Sequence, residues 1–294
     1  MEKNNHKYTY FPGCSLSATS SAYDISSKIV SKELGIELTE LEDWNCCGAT
    51  AYLSVAELLS FTFSARNLAL AEKLGQDIIA PCSACFTNLN KTNHYLAEFP
   101  KLKEKVDIAL AEGGLQYNGG VKVRHLLDIY INNIGYETIK SKMKRELTGL
   151  NVACYYGCQI IRPKNDFDDP EMPTSLDELT ATLGATPVNY PWKTKCCGSS
   201  LMGTKEEIAL KLVQQLLLCA QENGADCIVT TCPLCQINLD AYQGKINRKF
   251  KTNYSIPVLF FPQLVGLTLA IPVEDLAIQK GLVSAEKVLE KLKI

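Results

Sequence analysis

The chain has 294 residues, with 30 Lys plus Arg and 32 Asp plus Glu, so its formal net charge is −2. Apolar residues make up 46% and charged residues 21%, which excludes a disordered or collagen-like chain and allows one large domain or two of ordinary size. Because there is no basic excess, the composition predicts neither a nucleic-acid-binding surface nor a polybasic membrane surface.

In the first half of the chain, short alternating or buried runs predict strands, and apolar residues at helical spacing predict helices. Two of these helices stop at Gly35 and Gly75, a residue type that favours helix C-termini. In chain order the predicted elements are a strand at Lys7–Phe11, a helix at Ala18–Leu34, a strand at Ile36–Leu41, a helix at Val55–Leu74, a strand at Asp77–Ala80 and a helix at Phe86–Phe99.

The second half repeats this order after a charged linker predicted at Lys140–Thr148. Strands separated by helices predict parallel pairing in α/β layers. We therefore expect two tandem domains, 1–148 and 149–294, each with a mostly parallel sheet flanked by helices. The predicted elements of the second are a strand at Asn151–Tyr155, a helix at Ser175–Leu183, a strand at Thr186–Asn189, a helix at Glu206–Glu222 and a strand at Cys227–Thr230.

Cysteine is the compositional outlier, with 13 residues. The odd number argues against complete disulfide pairing, and the first residues, MEKNNHKYTYF, lack the apolar segment of a secretory signal. We therefore expect a cytoplasmic, reducing location, in which clustered cysteines are metal ligands or catalytic groups. The most apolar stretch, 256–273, is interrupted by prolines and is interpreted as a core strand and helix, not a membrane span.

Ten of the cysteines form an internal repeat, which indicates a two-fold duplication. A six-residue insertion, predicted in the polar loop 162–173, accounts for the one change of offset between the halves. Strands of an α/β fold present ligands at their carboxyl ends, so the five cysteines of each half are expected to converge. The two sets are Cys14, Cys46, Cys47, Cys82 and Cys85, and Cys158, Cys196, Cys197, Cys232 and Cys235.

Five cysteines per half favour an iron–sulfur cluster over a zinc ion. Structural zinc takes four ligands as two spaced pairs, and two adjacent side chains do not easily reach one tetrahedral ion. Five thiolates around one divalent ion would also leave a large uncompensated charge, which a multi-iron cluster spreads over several cations. Zinc in at least one half stays open as the alternative.

The cysteine motifs resemble the CCG-domain family, two tandem copies of which form the B subunit of the soluble heterodisulfide reductases of methanogenic archaea. The resemblance covers residues 7–270. The motifs that carry it are Phe-Pro-Gly-Cys-Ser (11–15), Asn-Cys-Cys-Gly (45–48), Pro-Cys-Ser-Ala-Cys (81–85), Tyr-Tyr-Gly-Cys-Gln (155–159), Lys-Cys-Cys-Gly-Ser (195–199) and Thr-Cys-Pro-Leu-Cys (231–235).

The resemblance implies two noncubane [4Fe-4S] clusters, held by the two sets of five cysteines, at which the disulfide between coenzyme M and coenzyme B is reduced to two thiols in one-electron steps. It also implies electron delivery through an iron–sulfur C subunit from a flavin-containing A subunit, with a hydrogenase or formate dehydrogenase module. Cys154 is an alternative to Cys158 as ligand, whereas Cys219 and Cys227 are interpreted as buried thiols. The active site is expected in a cleft between the halves.

Other residues are weaker candidates. His125 follows a predicted strand and is a candidate proton donor, while the anionic ends of the substrate would need basic groups. The sequence contains neither a dinucleotide fingerprint at its first strand nor a P-loop, so no flavin or nucleotide is expected in this chain. The candidates for the anionic ends are Lys193, Lys195, Arg124 and Arg162.

Two other classes of function fit the same motifs. One is the CCG-domain iron–sulfur subunit of a different oxidoreductase, of the glycolate oxidase, succinate dehydrogenase or sulfur-metabolism type. The other is a non-catalytic electron-transfer subunit with zinc in one half.

Overall fold

The computed structural model describes residues 6–49, 51–162 and 168–294. The first half comprises β1 (Lys7–Tyr10), α1 (Gly13–Leu16), α2 (Ser21–Leu34), β2 (Glu37–Glu40), α3 (Ala51–Val55), α4 (Glu57–Leu74), β3 (Ile78–Ile79), α5 (Ser83–Glu98), α6 (Pro100–Glu112), β4 (Val123–Arg124), α7 (Leu126–Asp128) with a π-helical extension (Ile129–Ile134), and α8 (Tyr136–Lys142).

The second half comprises β5 (Asn151–Tyr155), α9 (Ser175–Thr182), β6 (Thr186–Pro187), a 3-10 turn (Ser199–Leu201), α10 (Glu206–Glu222), β7 (Cys227–Thr230), α11 (Pro233–Ala241), α12 (Gln243–Phe250), β8 (Val258–Phe260), α13 (Phe261–Thr268), a second 3-10 turn (Ile278–Lys280) and α14 (Glu286–Lys291).

The sheets of the two halves have the same topology. Their strand orders are β2-β1-β3-β4 and β6-β5-β7-β8, and every strand pair is parallel. In this order β2 lies on one side of β1, and the next strand, β3, lies on the other side. The connections after β1 and β3 therefore run in opposite directions and leave a crevice at the carboxyl ends of these strands, where α/β folds bind ligands. The predicted α/β class and its parallel sheets are confirmed.

Several boundaries differ from the predictions. The segment predicted as one helix at Ala18–Leu34 begins at Ser21, because the residues around Cys14 form the separate short helix α1. The predicted linker overlaps the end of α8, which stops at Lys142. Helix α6 is absent from the sequence predictions, whereas strand β4 is the strand predicted to precede His125. Of the predicted loop 162–173, residues 163–167 lie outside the described residues.

The largest hydrophobic core is shared by the two halves. One face of the second sheet contributes Val152 and Val229 to the same cluster of buried side chains as the first sheet. The opposite face, with Ala153 and Ile228, packs on α10 to form a smaller core. Helices α2 and α13 pack together across the boundary between the halves, where Tyr23 stacks on Phe260 with ring centroids 4.2 Å apart. The halves are therefore joined by apolar packing as well as by the chain.

Candidate metal centre

The five repeated cysteines of the first half lie together at the carboxyl ends of three strands. Cys14 follows β1, the Cys46–Cys47 pair follows β2, and Cys82 and Cys85 follow β3. The sulfur atoms of Cys14 and Cys46 are 3.8 Å apart, and those of Cys47 and Cys85 are 3.2 Å apart. The predicted convergence of these thiols is what the parallel topology produces.

The second half repeats this arrangement. Cys158 follows β5 and makes a thiol contact with Cys196. The sulfur atoms of Cys197 and Cys235 are 3.6 Å apart, and Cys232 hydrogen-bonds to Cys235. Each set also runs from surface to interior, because Cys14 and Cys196 are exposed whereas both members of each Cys-x-x-Cys pair are buried.

The glycine of each Gly-Cys motif is required by the approach of another cysteine. Gly13 and Gly157 have φ values of +69° and +72°, a region that L side chains rarely adopt. A Cβ atom at Gly13 would lie 2.9 Å from the Cys85 sulfur, and one at Gly157 would lie 3.0 Å from the Cys235 sulfur. Glycine therefore lets the loop after the first strand pass directly over the Cys-x-x-Cys pair.

A repeated asparagine fixes the Cys-Cys loop. Asn88 on α5 donates to the Cys47 carbonyl oxygen at 2.6 Å, and Asn238 on α11 donates to the Cys197 carbonyl oxygen at 2.7 Å. In the first half Ser64 adds a second donation to the Cys47 carbonyl oxygen, at 2.8 Å. The sequence repeat contains this asparagine, but the sequence predicts no role for it because its partner is a backbone group.

Backbone N–H groups also point at the adjacent thiols. The Gly48 N–H lies 3.5 Å from the Cys46 sulfur, and the Gly198 N–H lies 3.3 Å from the Cys196 sulfur. Hydrogen bonds from Cys14 and Cys47, together with this N–H, lower the pKa of Cys46. Hydrogen bonds from Cys158 and Cys197 lower the pKa of Cys196 in the same way.

Most of the remaining thiols resist ionisation, although hydrogen bonds from Cys235 and Cys82 lower the pKa of Cys232. The hydrogen bond to Cys46, followed by burial, raises the pKa of Cys14. The hydrogen bond to Cys46 likewise raises the pKa of Cys47 to about 12. Without added positive charge, a thiolate at Cys46 therefore suppresses the ionisation of Cys14 and Cys47, and ionisation of all five thiols needs nearby cations.

The two sets meet where the halves join. Cys82 and Cys232, the equivalent first cysteines of the Cys-x-x-Cys pairs, are within hydrogen-bonding contact of each other. Next to them, Ser83 Oγ donates to the Thr231 carbonyl oxygen at 3.1 Å. The described thiols therefore form one continuous series of contacts from Cys14 through this junction into the second half.

Tyr23 lies at the same junction and is not among the residues predicted from the sequence. It is fully buried, and its hydroxyl lies 3.1 Å from the Pro81 carbonyl oxygen and 3.1 Å from the Thr231 carbonyl oxygen. Burial, together with the nearby Cys232 and Cys82, raises the pKa of Tyr23 well above its usual value. No sequence signal marks it, because its partners are carbonyl groups far along the chain.

His125 is also buried at this junction, as the N-cap of α7. Its Nδ1 accepts from the Leu127 backbone N–H at 3.1 Å, which leaves the proton on Nε2 in the neutral ring. Burial lowers the pKa of His125 to about 4, although the backbone carbonyls of Pro81 and Thr231 oppose this shift. Among the described residues no acceptor meets full hydrogen-bond geometry with Nε2. His125 is therefore neutral and directed towards the backbone that precedes the two junction cysteines.

The two arginines predicted to bind the anionic ends of the substrate form contacts with neighbouring polar side chains. Arg124 Nε donates to Asp128 at 2.6 Å, and its Nη1 donates to Asn133 at 2.6 Å. Arg162 forms a longer ion pair with Glu171, at 3.7 Å. Both guanidinium groups are thus held by polar side chains of their own neighbourhood.

The two predicted lysines flank the second Cys-Cys pair but differ in exposure. Lys193 is mostly buried, pairs with Asp177 at 3.1 Å and lies over the ring of Tyr156. Lys195 is exposed and directly precedes the exposed Cys196. Of the four basic candidates, Lys195 thus lies next to a repeated cysteine in the chain and faces solvent.

The three cysteines outside the repeat are separate from it. Cys154 faces the shared core, where its thiol contacts Thr180 at 3.3 Å, and burial raises its pKa. Cys219 and Cys227 are both buried, as predicted. Cys154 therefore lies on the opposite face of the second sheet from Tyr155, which shares the smaller core with Cys197, Cys232 and Cys235.

The thiols of each set lie together as a series of neighbours and do not surround one metal position. Within residues 6–49, 51–162 and 168–294, no three His, Cys, Asp or Glu side chains are arranged to hold one metal ion. Successive pairwise contacts instead spread each set of five over several ångströms. Such a set is suited to a multi-atom cluster, whose metal atoms lie at separate positions, and less suited to one tetrahedral ion.

Comparisons with known proteins agree on one family. The CCG family model, described as a cysteine-rich domain, matches residues 8–90 and 152–240. The chain is 36% identical over 96% of its length to the 8-methylmenaquinol:fumarate reductase membrane anchor subunit of Wolinella succinogenes, covering 98% of that protein. It is 31% identical over 97% of its length to the B subunit of the ferredoxin/F420H2-dependent CoB-CoM heterodisulfide reductase of Methanosarcina acetivorans, covering 97% of it.

Further similarities extend the comparison. An Archaeoglobus profundus protein, named as similar to the B subunit of heterodisulfide reductase, is 34% identical over 92% of the chain and is covered to 93%. A crystal structure of a hypothetical protein from Helicobacter pylori superposes with a TM-score of 0.76 at 16% identity, which shows a shared fold. That similarity covers 95% of this chain and about half, 52%, of the Helicobacter pylori chain.

Proposed function

Because this chain belongs to the CCG family of cysteine-rich-domain proteins, we propose that it is the cluster-carrying subunit of a multi-subunit oxidoreductase that reduces a disulfide. The observation that carries the proposal is the series of thiol contacts, in which two equivalent sets of five cysteines meet at Cys82 and Cys232. Relatives named as B subunits of heterodisulfide reductases support the reaction class.

The proposed cofactors are two noncubane [4Fe-4S] clusters, one in each half. Each set offers five thiols within a few ångströms, at the carboxyl ends of three neighbouring strands. Their mutual suppression of ionisation supports the proposal, because several cations would allow all five to be thiolates. The proposed ligands are Cys14, Cys46, Cys47, Cys82 and Cys85 for the first cluster, and Cys158, Cys196, Cys197, Cys232 and Cys235 for the second.

Two adjacent cluster sites suit the chemistry of a disulfide, since two bound clusters would supply the two single electrons that, with two protons from solvent, convert one disulfide into two thiols. The protein's own residues hold these sites at a fixed separation and keep water from the junction, where Tyr23 and His125 are fully buried. We assign His125 to positioning and not to proton donation, because its Nε2 proton is directed towards the backbone carbonyls. Lys195 is the proposed contact for an anionic end of the substrate, which we propose to be the coenzyme M–coenzyme B disulfide.

We propose that electrons reach this chain from an iron–sulfur partner, of the C subunit type, and from a flavin-containing A subunit behind it. The exposed end of the first set, at Cys14, is where a donor cluster would come close enough for electron transfer, since the end at Cys196 lies beside the lysine assigned to the substrate. Relatives named as components of ferredoxin-dependent heterodisulfide reductases support such an arrangement.

Metal analysis of protein purified without oxygen tests the proposal. We expect about eight irons per chain, as two four-iron clusters require, and reduction of the heterodisulfide by a reduced viologen dye. Protein from the same preparation with Cys46→Ser should lose about half of this iron. Two zinc ions and no iron after anaerobic purification would contradict the proposal.

A quinol-linked role is the second candidate, because one relative is named as part of an 8-methylmenaquinol:fumarate reductase. That name includes a membrane anchor, yet no helix in the described parts of this chain has the length and apolar content of a membrane span. Attachment would then use the surface, where Tyr52, Val55, Leu58 and Leu59 expose 43%, 86%, 42% and 44% of their area close to the first Cys-Cys pair.

Parallel assays separate the two candidates. A quinol-linked protein should oxidise a reduced menaquinone analogue and sediment with lipid vesicles, and Val55→Asp should abolish the sedimentation. Ile208→Asp is the matched control, because Ile208 lies on α10 of the second half and is also exposed. Heterodisulfide reduction without quinol oxidation or vesicle binding would reject the second candidate.

A further inference from the structure

Tyr23 connects the two halves through a single hydroxyl group. The two carbonyl oxygens that it approaches belong to Pro81 and Thr231, and each lies 3.1 Å away. These residues directly precede Cys82 and Cys232, which occupy equivalent positions in the two halves. One side chain of the first half therefore contacts the backbone that carries the equivalent cysteine in both sets.

The ring of Tyr23 packs against two phenylalanine rings. It stacks on Phe260, with centroids 4.2 Å apart and planes 7° apart, and it meets the edge of Phe261 at 6.1 Å. Both phenylalanines belong to the second half, so the position of the hydroxyl is defined by packing across the boundary. A buried tyrosine hydroxyl normally requires a hydrogen-bond partner, and here the packed ring directs the hydroxyl at the two carbonyl oxygens.

The junction is not symmetric. The pairing of Ile78 with Val123 corresponds to that of Ile228 with Val258, so His125 and Phe260 are equivalent residues, and each is the N-cap of the helix after a fourth strand. The two polar rings of the junction, Tyr23 and His125, both come from the first half. Ser83, also of the first half, adds a further hydrogen bond to the Thr231 carbonyl oxygen.

We infer that Tyr23 is a positioning residue that sets the distance and orientation between the two cluster sites. It does so by holding the carbonyl groups before Cys82 and Cys232 with one shared hydroxyl. The inference rests on the proposed function only where it concerns clusters, since the hydrogen bonds belong to the chain itself. Electron transfer to one disulfide from two sites requires this separation to be constant, because reacting atoms must be held at near-contact distances.

Hydrogen exchange of the metal-free full-length chain tests the contact without any cluster. Tyr23→Phe keeps the stacked ring and removes only the hydroxyl, so amides in 79–85 and in 229–235 should exchange about fivefold faster, the factor expected for one lost hydrogen bond. Tyr130→Phe is the matched control, because Tyr130 is also buried, contacts Phe261 and bonds Ser31 at 3.1 Å. It should leave both segments unchanged. Faster exchange in one segment only, or in neither, would overturn the inference.

A second variant keeps the test decisive if Tyr23→Phe folds poorly. Ser83→Ala removes the other hydrogen bond to Thr231 and leaves Tyr23 in place. Exchange should then rise in 229–235 and stay unchanged in 78–80, the amides before Pro81. An equal rise on both sides would show that Tyr23 does not hold the Pro81 carbonyl.

The loaded protein provides an independent measurement. In Tyr23→Phe the iron content should equal that of the parent chain. The magnetic interaction between the two clusters, measured by electron paramagnetic resonance, should become weaker, and its strength should vary more from molecule to molecule. An unchanged interaction would contradict the positioning role. A parent chain that binds no iron would instead refute the proposed function, and the exchange experiment would still decide the role of Tyr23.

Discussion

Gly13 shows how a single missing side chain shapes the candidate centre. Gly13→Ala adds a Cβ atom 2.9 Å from the Cys85 sulfur at a φ of +69°. We expect a loss of stability of about 1–3 kcal/mol and markedly less iron in the first site. Gly35→Ala is the control, because Gly35 has a φ of +85° but nothing within 4 Å of the added atom. It should cost similar stability and keep all the iron. Equal iron in the two variants would contradict the prediction.

Cys196 distinguishes a ligand from a structural thiol. Cys196→Ser should abolish the spectroscopic signal of the second cluster and leave that of the first, because the thiols that Cys196 contacts, Cys158 and Cys197, belong to its own set. Cys219→Ser is the control on helix α10, where the thiol is buried and contacts the Asn223 side chain. We expect it to cost about 1 kcal/mol and to keep both signals. Loss of a cluster in Cys219→Ser would refute the ligand assignment.

The role of a residue could be predicted where the repeat duplicates that residue. It could not be predicted where the residue hydrogen-bonds to a backbone group. The ten repeated cysteines and the spacing that the two halves share are visible in the sequence, so their convergence could be predicted. Tyr23 and Ser83 act on carbonyl groups, which leave no pattern in the sequence. Arg124 was a candidate for substrate binding from its place beside a strand, but the local carboxylate of Asp128 holds its guanidinium.

Helix α11 carries Cys235 at one end and Asp240 at the other, and Asp240 fastens the C-terminal segment to it. Its carboxylate accepts the backbone N–H groups of Leu282 and Val283, at 2.7 and 3.1 Å. Burial nevertheless raises the pKa of Asp240 above its usual value. The hydrogen bonds to this carboxylate therefore offset only part of the cost of burying its charge.

The pH dependence of stability follows from that raised pKa. Between the ordinary carboxyl pKa of about 3.9 and the raised value, the native chain binds more protons than the unfolded chain, so the free energy of unfolding falls as pH rises. Asp240→Asn should remove this contribution. Urea unfolding at several pH values should show a difference between parent and variant that changes within this window and is constant above it. A difference independent of pH throughout would contradict the prediction.

Elements with a complete sequence pattern of their own were predicted better than elements that depend on a tertiary contact. Helix α10 and strand β7 have the predicted bounds, because one has a continuous amphipathic pattern and the other is a wholly buried run between turn residues. Strand β4 has two residues, too few to show periodicity, and the sequence indicated it only as a strand of undefined bounds before His125. Its existence depends on pairing with β3, which is a tertiary contact.

The whole molecule should unfold as one unit, because its main core includes both halves. Val152, Val229 and Phe261 pack in the same cluster as Tyr10 and Phe11. We expect a single transition in urea, with coincident fluorescence and circular dichroism curves. A chain of residues 1–148 alone should stay unfolded, since this packing would be exposed, and coexpression with 149–294 should restore it. A cooperative transition for the isolated first half would show that the halves are independent.

The unequal residues at the junction also bear on how such a molecule can evolve. A dimer of two identical halves would place the same residue on both sides of its axis, so a histidine on one side would require a histidine on the other. In this chain His125 and Phe260 occupy the two equivalent positions, and Tyr23 packs on the phenylalanine. When the two halves are parts of one chain, equivalent positions can carry different residues. Each half can then diverge to suit a different end of an asymmetric substrate.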